Sequence, residues 1–473
     1  MTANTSTVPR GTAPEQKKSS IVALMVALMA AIFAFQLNAS MLSPALTTMA
    51  RELNTTDAQI GLTQTVFFTA CAVFSLFLPR LGDLAGRKKV LLGMLTLTAV
   101  GCVLSALAVN VPMLMIGRVV QGVAGPIVPM TLLMLHARVT DDAQYAKLMA
   151  ILTSVNGGIG GVDALLGGWL AGHFGFRSIF WVMVGVCVLA IVLVACFSEN
   201  STAEETPKMD WLGVILLSVA FLAAYLAINE IQKLADANWW LVVVELIVAA
   251  VLFVAFWNVE KHKKDPMVAT KYLKQRRTWG LLLTTLLTMT GVFAIMNGII
   301  PALGQDTEAG AGIATDVVSF FTLTPYALVG LVFGPVAGVL ASKFGYRMVL
   351  RGGLLVTAVS MLFGVFVCKV PNMWDLIVFS LLVGVSYAGT ANIMLNGLGI
   401  VLSPQDNPGY LPGLNAGAFN LGAGLSYAVL YAVQKAFTQS AGATSGYMMS
   451  MVGGIILVAF AFACSFLIPK PEE

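Results

Sequence analysis

The sequence predicts an all-α membrane protein with fourteen transmembrane helices, and three observations predict it. Of the 473 residues, 58% are hydrophobic and only 11% are charged, whereas a soluble domain carries about 25% charged residues. The apolar runs are continuous rather than alternating, which calls for helices and not a closed barrel. Lys and Arg fall mostly on one side once these runs are threaded through a bilayer. With a mean hydropathy of +0.86, lipid must be the solvent for most of the chain.

Each element follows in order. The tail is polar through Lys17-Lys18, and the first apolar run extends from Ile21 to Leu46. A signal peptide has an apolar core of about 7–15 residues, so this run reads as a retained helix. The expected spans are 21–46, 57–81, 90–109, 113–135, 148–171, 179–197, 211–229, 239–257, 279–301, 317–340, 349–367, 376–400, 411–433 and 446–468. Each can cross a hydrocarbon core of about 30 Å. With the N-terminus inside, twenty-one Lys and Arg face the cytoplasm and five face outward, and Arg118 lies within a span. An odd span count would scramble that skew. Both termini are therefore expected in the cytoplasm, with the chain a multi-pass protein of the bacterial inner membrane.

The net charge of +4 and pI near 8.7 follow from this topology and do not call for nucleic acid. The basic stretch from Glu260 to Arg277 is either a positive-inside anchor or a surface helix on anionic lipid. The six cysteines lie in or at the ends of apolar segments without zinc or CxxC spacing, and are expected as small buried hydrophobes. The three histidines sit in separate loops, and there is no HExxH, Walker loop or GxSxG. An enzyme is therefore not expected, nor direct use of ATP. A channel would have no need of paired loops, and neither a channel nor a sensor could accumulate substrate against its gradient.

Those paired loops are an internal echo. Leu81, Asp83, Gly86 and Lys88 after span 2 map onto Leu340, Ser342, Gly345 and Arg347 after span 10, at a constant offset of 259. Duplicated halves mark carriers that rock around a central site.

At Asp83-Leu-Ala-Gly86-Arg87-Lys88 the chain resembles the major facilitator superfamily, and within it the fourteen-helix drug:proton antiporter branch. The resemblance covers nearly the whole chain. It implies the major facilitator fold: two pseudo-symmetric six-helix bundles plus two inserted helices. The expected divisions are a tail at 1–20, an N-terminal bundle at 21–197, inserted helices and basic loop at 198–278, a C-terminal bundle at 279–468, and a tail at 469–473. It also implies a monomer driven by a proton gradient, without cofactor or metal.

Asp83, Gly86, Arg87 and Lys88 match the cytoplasmic gate motif of that family. Gly allows the tight turn, and Asp can pair with a base across the bundle interface. The motif's leading Gly is Pro79 here, and its second Arg is Leu84. In Gly117-Arg118-Val-Val-Gln121-Gly122, a lone Arg deep in a span is expensive unless paired or hydrated. The resemblance links Arg118 to proton coupling. In span 5, Asp163-Ala164 replaces the Gly-Pro expected before Gly167-Gly168. In span 1, Asn38 stands where the family has an acid. The proton-handling acid is therefore expected at Asp163, which could equally pair with Arg118 or bind substrate.

Polar side chains that could line the path are Gln36, Asn38, Gln64, Gln121, Asn156, Asn297, Tyr326, Asn392, Asn396, Asn415 and Asn420. Phe67, Phe68, Phe293 and Tyr387 could supply an apolar wall. Glu230 is expected to be solvated near the outer face. The expected function is proton-coupled export of hydrophobic or amphipathic small molecules, of multidrug type. The alternative is proton-coupled uptake of an amphipathic organic acid, with Arg118 on its carboxylate.

Overall fold

The computed structural model describes residues 20–470, except 140, 201–208, 232, 234–235, 264–265, 267–269 and 405–409. The side chains of 142–143, 145–147, 150, 153–159 and 270 also lie outside that description. Within it the chain forms fourteen long rods. They are α1 (Ile21–Glu52), α2 (Asp57–Ala85), α3 (Arg87–Ala106), α4 (Val111–Arg138) and α5 (Asp142–Phe174), followed by α6 (Arg177–Phe197), α7 (Trp211–Ile231) and α8 (Trp239–His262). The second half contributes α9 (Arg276–Gln305), α10 (Leu323–Phe344), α11 (Tyr346–Lys369), α12 (Met373–Val401), α13 (Tyr410–Ala441) and α14 (Ala443–Leu467). Thirteen of these are long and apolar enough to cross a membrane among the described residues, and the 33-residue α5 runs beside them. The chain is a multi-pass membrane protein.

Polar residues between the runs start the rods. Ser20, Thr56, Asn110, Asp141, Asn238 and Asn372 each accept a backbone N–H in the first turn of the following helix, satisfying donors the helix leaves open. Several rods are irregular inside. α1 tightens at Ser43–Ala45 around Pro44. α4 is broken at Gly122–Ala124. α9 and α12 carry π-helical turns at Ile295–Ile299 and Gly384–Ala391, the kind of bulge that often marks functional sites.

α1–α6 pack mainly on one another, as do α9–α14. Two seams join the bundles, α2 against α13 and α5 against α10. Small residues set the second seam: a Cβ on Gly161 would stand 2.8 Å from that of Ala327, and one on Gly168 2.7 Å from the Thr315 carbonyl. Between the bundles, Thr47 donates to Gln305, Gln305 to the Pro44 carbonyl, Ser43 to Asn297, Thr65 to the Gly424 carbonyl, Ser319 to that of Ala164 and Thr324 to that of Gly161. All of these lie in the half toward the face where Glu52 ends α1. Near the opposite, basic face, where Arg87 and Lys88 sit, Arg80 of α2 donates to the Pro266 carbonyl at 2.8 Å.

α7 and α8 form a hairpin outside the two bundles, and α7 leans on both α2 and α13. Asp210 caps α7 by accepting from the Gly213 N–H at 2.8 Å and pairs with Lys263 at the end of α8. Two expectations change. Glu230 is 6% exposed and accepts from Lys233 Nζ at 2.5 Å and the Asn238 N–H at 2.9 Å, because the turn folds back over it. Cys196 is exposed, on the outward surface of α6.

Candidate functional site

The middle of α1 is the spine of the site. At Gln36-Leu-Asn-Ala-Ser40, polar residues recur in the middle of a helix that is apolar from Ile21 to Phe35. Gln36 Nε2 donates to Ser40 Oγ at 3.0 Å, and Ser40 Oγ lies 3.0 Å from the Gln36 carbonyl. From α5, Asp163 Oδ2 comes within 2.5 Å of the same Ser40 Oγ. Glycines let α5 approach this closely: a Cβ on Gly160 would stand 3.4 Å from Gln36 Nε2, and one on Gly167 only 2.0 Å from the Met41 carbonyl.

A serine hydroxyl has one hydrogen and two acceptor lone pairs, so Ser40 cannot donate to both the Gln36 carbonyl and Asp163. A protonated Asp163 donates to Ser40, which then donates to Gln36. An ionised Asp163 draws the serine hydrogen to itself. Ser40 therefore serves either state of the carboxyl without moving. Asp163 is 4% exposed, and its Oδ1 has no hydrogen-bond partner among the described residues.

Arg118 reaches α1 from α4, completely buried. Its guanidinium lies over the Phe67 ring, 3.9 Å from the centroid, a contact that offsets part of the cost of burying charge. Nη1 and Nη2 both donate to the Asn38 carbonyl at 3.2 Å. Nη1 also donates to Gln121 Oε1 at 2.6 Å, and Nη2 to Gln64 Oε1 at 2.8 Å. The described partners of Arg118 and Asp163 do not include each other. They hold stations two residues apart on α1, at Asn38 and Ser40.

The other bundle supplies aromatic faces. Phe68 meets Phe293 edge-on with centroids 5.1 Å apart, and lies nearly parallel to Tyr427 at 6.4 Å. Phe419 stands edge-on to Phe293 at 6.3 Å. The π turn of α9 presents Asn297, whose side chain donates to the Phe293 carbonyl at 3.0 Å and whose own carbonyl accepts from Tyr427 at 3.1 Å.

The remaining candidates fall in different places. The Gln121 amide is consumed between α3 and α4 by the Gly101 carbonyl and Ser105. The Asn38 side chain is enclosed, donating to the Ala34 carbonyl and accepting from Cys102. Tyr326 is half-buried on α10. Asn392 and the exposed Asn396 bond to each other toward the basic face. Asn415 joins Thr285 to the Leu395 carbonyl. Tyr387 is buried inside the C-terminal bundle, its hydroxyl on the Met289 sulfur. The Asn156 side chain lies outside the described residues. Sequence reasoning passed over Ser43 and Tyr427, which look like ordinary small and aromatic membrane residues.

The gate motif is held within its own bundle. Asp83 pairs with Arg87 at 2.7 Å, four residues on. Arg87 also donates to the Leu133 carbonyl, and Lys88 to that of Ala195. Gly86 makes the turn at φ 105°, and a Cβ there would collide with Asn200. Every described partner lies in the N-terminal bundle, so the motif does not reach across the interface in this conformation. No group of three or more His, Cys, Asp and Glu is placed to hold a metal among the described residues.

Comparison with known proteins adds to this geometry. The sequence profile of the Major Facilitator Superfamily matches residues 28–426. The chain is 61% identical over 459 residues to a uridine/deoxyuridine transporter of Lactococcus lactis subsp. cremoris (strain MG1363), covering 96% of each chain. It is 25% identical over 361 residues to the uncharacterized MFS-type transporter YhcA of Bacillus subtilis (strain 168), covering 74% of this chain and 64% of that one. Among solved structures, a point mutant of the nucleoside transporter NupG superposes with a TM-score of 0.62 at 13% identity, covering 94% of this chain and all of NupG. At that identity the likeness shows the fold alone.

These findings overturn the expectation of multidrug export by proton antiport, and with it an amphipathic drug or organic acid as cargo. A relative 61% identical across 96% of both chains is named for nucleosides. A cation needs a desolvated counter-charge, and the centre described here offers one carboxyl, Asp163, beside amides and an enclosed guanidinium. The chain is a transporter and not an enzyme. Its paired bundles and the profile match along most of its length make it a member of the Major Facilitator Superfamily.

Proposed function

We propose that this chain carries uridine and deoxyuridine into the cell across the bacterial inner membrane by alternating access, with protons as the coupled ion. The observation that carries the cargo assignment is the 61% identity, over 96% of both chains, to a uridine/deoxyuridine transporter. The site chemistry supports it. A nucleoside is neutral, flat at one end and rich in hydrogen-bonding groups, and the centre offers aromatic faces beside buried amides.

The Lys and Arg skew supports a cytoplasmic basic face with both termini inside. The hydrogen bonds between bundles then close the outer half, and this conformation faces the cytoplasm. Asp163 is the proton carrier in this reading, with Ser40 following its protonation state. Arg118 fixes the neighbouring turn of α1 and keeps its own charge off the proton path. The gate motif holds its half of the cytoplasmic face together, and the chain works as a monomer.

The test uses proteoliposomes with an imposed pH gradient, acid outside, and labelled uridine. Uridine should accumulate above its equilibrium level, and a protonophore should abolish the accumulation. Failure of uridine both to accumulate and to exchange would sink the nucleoside assignment. Accumulation that ignores the proton gradient would sink the coupling and leave the cargo standing.

A further inference from the structure

We infer that Gln64 reads the 4-position of the pyrimidine base, admitting a 4-oxo base and excluding a 4-amino one. This inference rests on the nucleoside assignment above and sharpens it. It begins with the orientation of one amide. Arg118 carries only N–H donors, and its Nη2 lies 2.8 Å from the Gln64 side chain. The atom facing Arg118 must therefore be the Gln64 carbonyl oxygen, and the guanidinium decides which way the amide points. Nε2 is turned to the other side as a donor.

Among the described residues that donor is unused. Gln64 is 2% exposed, and its Nε2 is buried without a hydrogen-bond partner among the described residues. Gln121 makes the contrast. The same guanidinium orients it at 2.6 Å, but its Nε2 is spent on the Gly101 carbonyl at 2.9 Å and Ser105 Oγ at 2.7 Å. Of two glutamines set by one arginine, Gln121 is structural and Gln64 keeps an N–H without a partner among the described residues. Arg118 Nε is a second buried, unpartnered N–H in the same cluster. A buried donor left unsatisfied is costly, so an acceptor that fills it is rewarded.

Position connects this donor to a base. Gln64 precedes Phe68 by one turn of α2, and residues at that spacing share a helix face. Phe68 packs against the buried Tyr427 and the half-buried Phe293 from α13 and α9, rings whose faces a pyrimidine would take as they part. Uracil presents a carbonyl oxygen at its 4-position, which accepts from Nε2. Cytosine presents an amino group there, so donor would face donor. A site built to satisfy a polar group rejects the analogue that cannot do so. The contact ignores the sugar, so ribose and deoxyribose forms are treated alike.

The experiment is competition against labelled uridine exchange in proteoliposomes, using unlabelled uridine, deoxyuridine and cytidine. In the wild type, deoxyuridine should compete as well as uridine, and cytidine at least tenfold more weakly. Gln64→Glu places only acceptors there and should reverse or erase the preference. Gln64→Met keeps the volume without the donor and should bring uridine and cytidine within threefold. The readout is a ratio, so reduced expression of either variant does not alter it, and either one that folds is sufficient. A wild-type ratio under threefold, or a wild-type ratio retained in a folded variant, overturns the inference while nucleoside transport stands. If the wild type exchanges no nucleoside, both fall.

Discussion

Replacing Gly167 with Ala tests whether the close approach of α5 to α1 holds the carboxyl in place. A Cβ at Gly167 would lie 2.0 Å from the Met41 carbonyl, and ordinary contact begins at 3.4 Å, so the helices must part by about 1.4 Å. Asp163 lies one turn back on α5, and Ser40 is the residue before Met41. The same displacement would stretch their 2.5 Å contact to about 3.9 Å, beyond hydrogen-bonding range. Overpacking costs about 1–3 kcal/mol, and a hydrogen bond to a charged group is worth about 1.5–3 kcal/mol. Gly185→Ala on α6 is the control, because a Cβ there meets nothing within 4 Å. The assays are thermal unfolding in detergent and pH-driven uridine uptake. Gly167→Ala should melt below Gly185→Ala and lose at least about tenfold in uptake, the rate equivalent of 1.4 kcal/mol. If the two variants melt together and both transport like the wild type, the α1–α5 contact does not position Asp163.

Three further outcomes are expected. Asp163→Asn should keep downhill uridine exchange and lose accumulation under a pH gradient; accumulation at the wild-type level would remove Asp163 from coupling. Arg118→Met leaves the Asn38, Gln64 and Gln121 carbonyls without their donor, at about 1–3 kcal/mol each if uncompensated. It should therefore melt well below Arg118→Lys, and equal melting would mean the guanidinium network is dispensable for stability. Asp210→Ala removes the α7 cap, at a cost of about 0.5–2 kcal/mol. Burial pushes the Asp210 carboxyl up, but hydrogen bonds with Glu260, Lys263 and the Gly213 N–H outweigh it and hold the group below its ordinary range. Its contribution is thus complete above about pH 3.9, the ordinary Asp value, and is lost as pH falls further. The melting gap between wild type and Asp210→Ala should narrow only in that acid range, and narrowing near neutrality would contradict the assignment.

Long-range pattern carried the fold. Apolar runs, the basic skew and the echo at an offset of 259 are summed over many residues, so no single irregularity hides them. Arg118 and Asp163 were legible for a similar reason, since a charge in hydrocarbon stands out against everything around it. Ser40 and Tyr427 were not legible. Small hydroxyls and aromatics are common in membrane helices, and only their contacts distinguish them. Glu230 was misjudged because span position implies water, while the fold-back of its turn supplies Lys233 and a backbone N–H instead. The cargo was misjudged because motifs shared by a superfamily report its moving parts. Which buried amide atoms remain unsatisfied among the described residues, as at Gln64 Nε2, is not encoded in sequence spacing.

The α7–α8 hairpin has a consequence for the surrounding lipid. It leans on α2 and α13, the two sides of one seam, so acyl chains are kept from that joint while the bundles rock. Among the described contacts the α5–α10 seam has no such hairpin against it. The two flanks of the carrier are therefore unequal, like a door with a weather strip on the hinge side only. Changes in chain order or bilayer thickness act first on the less covered flank, whose α5 also carries Asp163 on its way to α1.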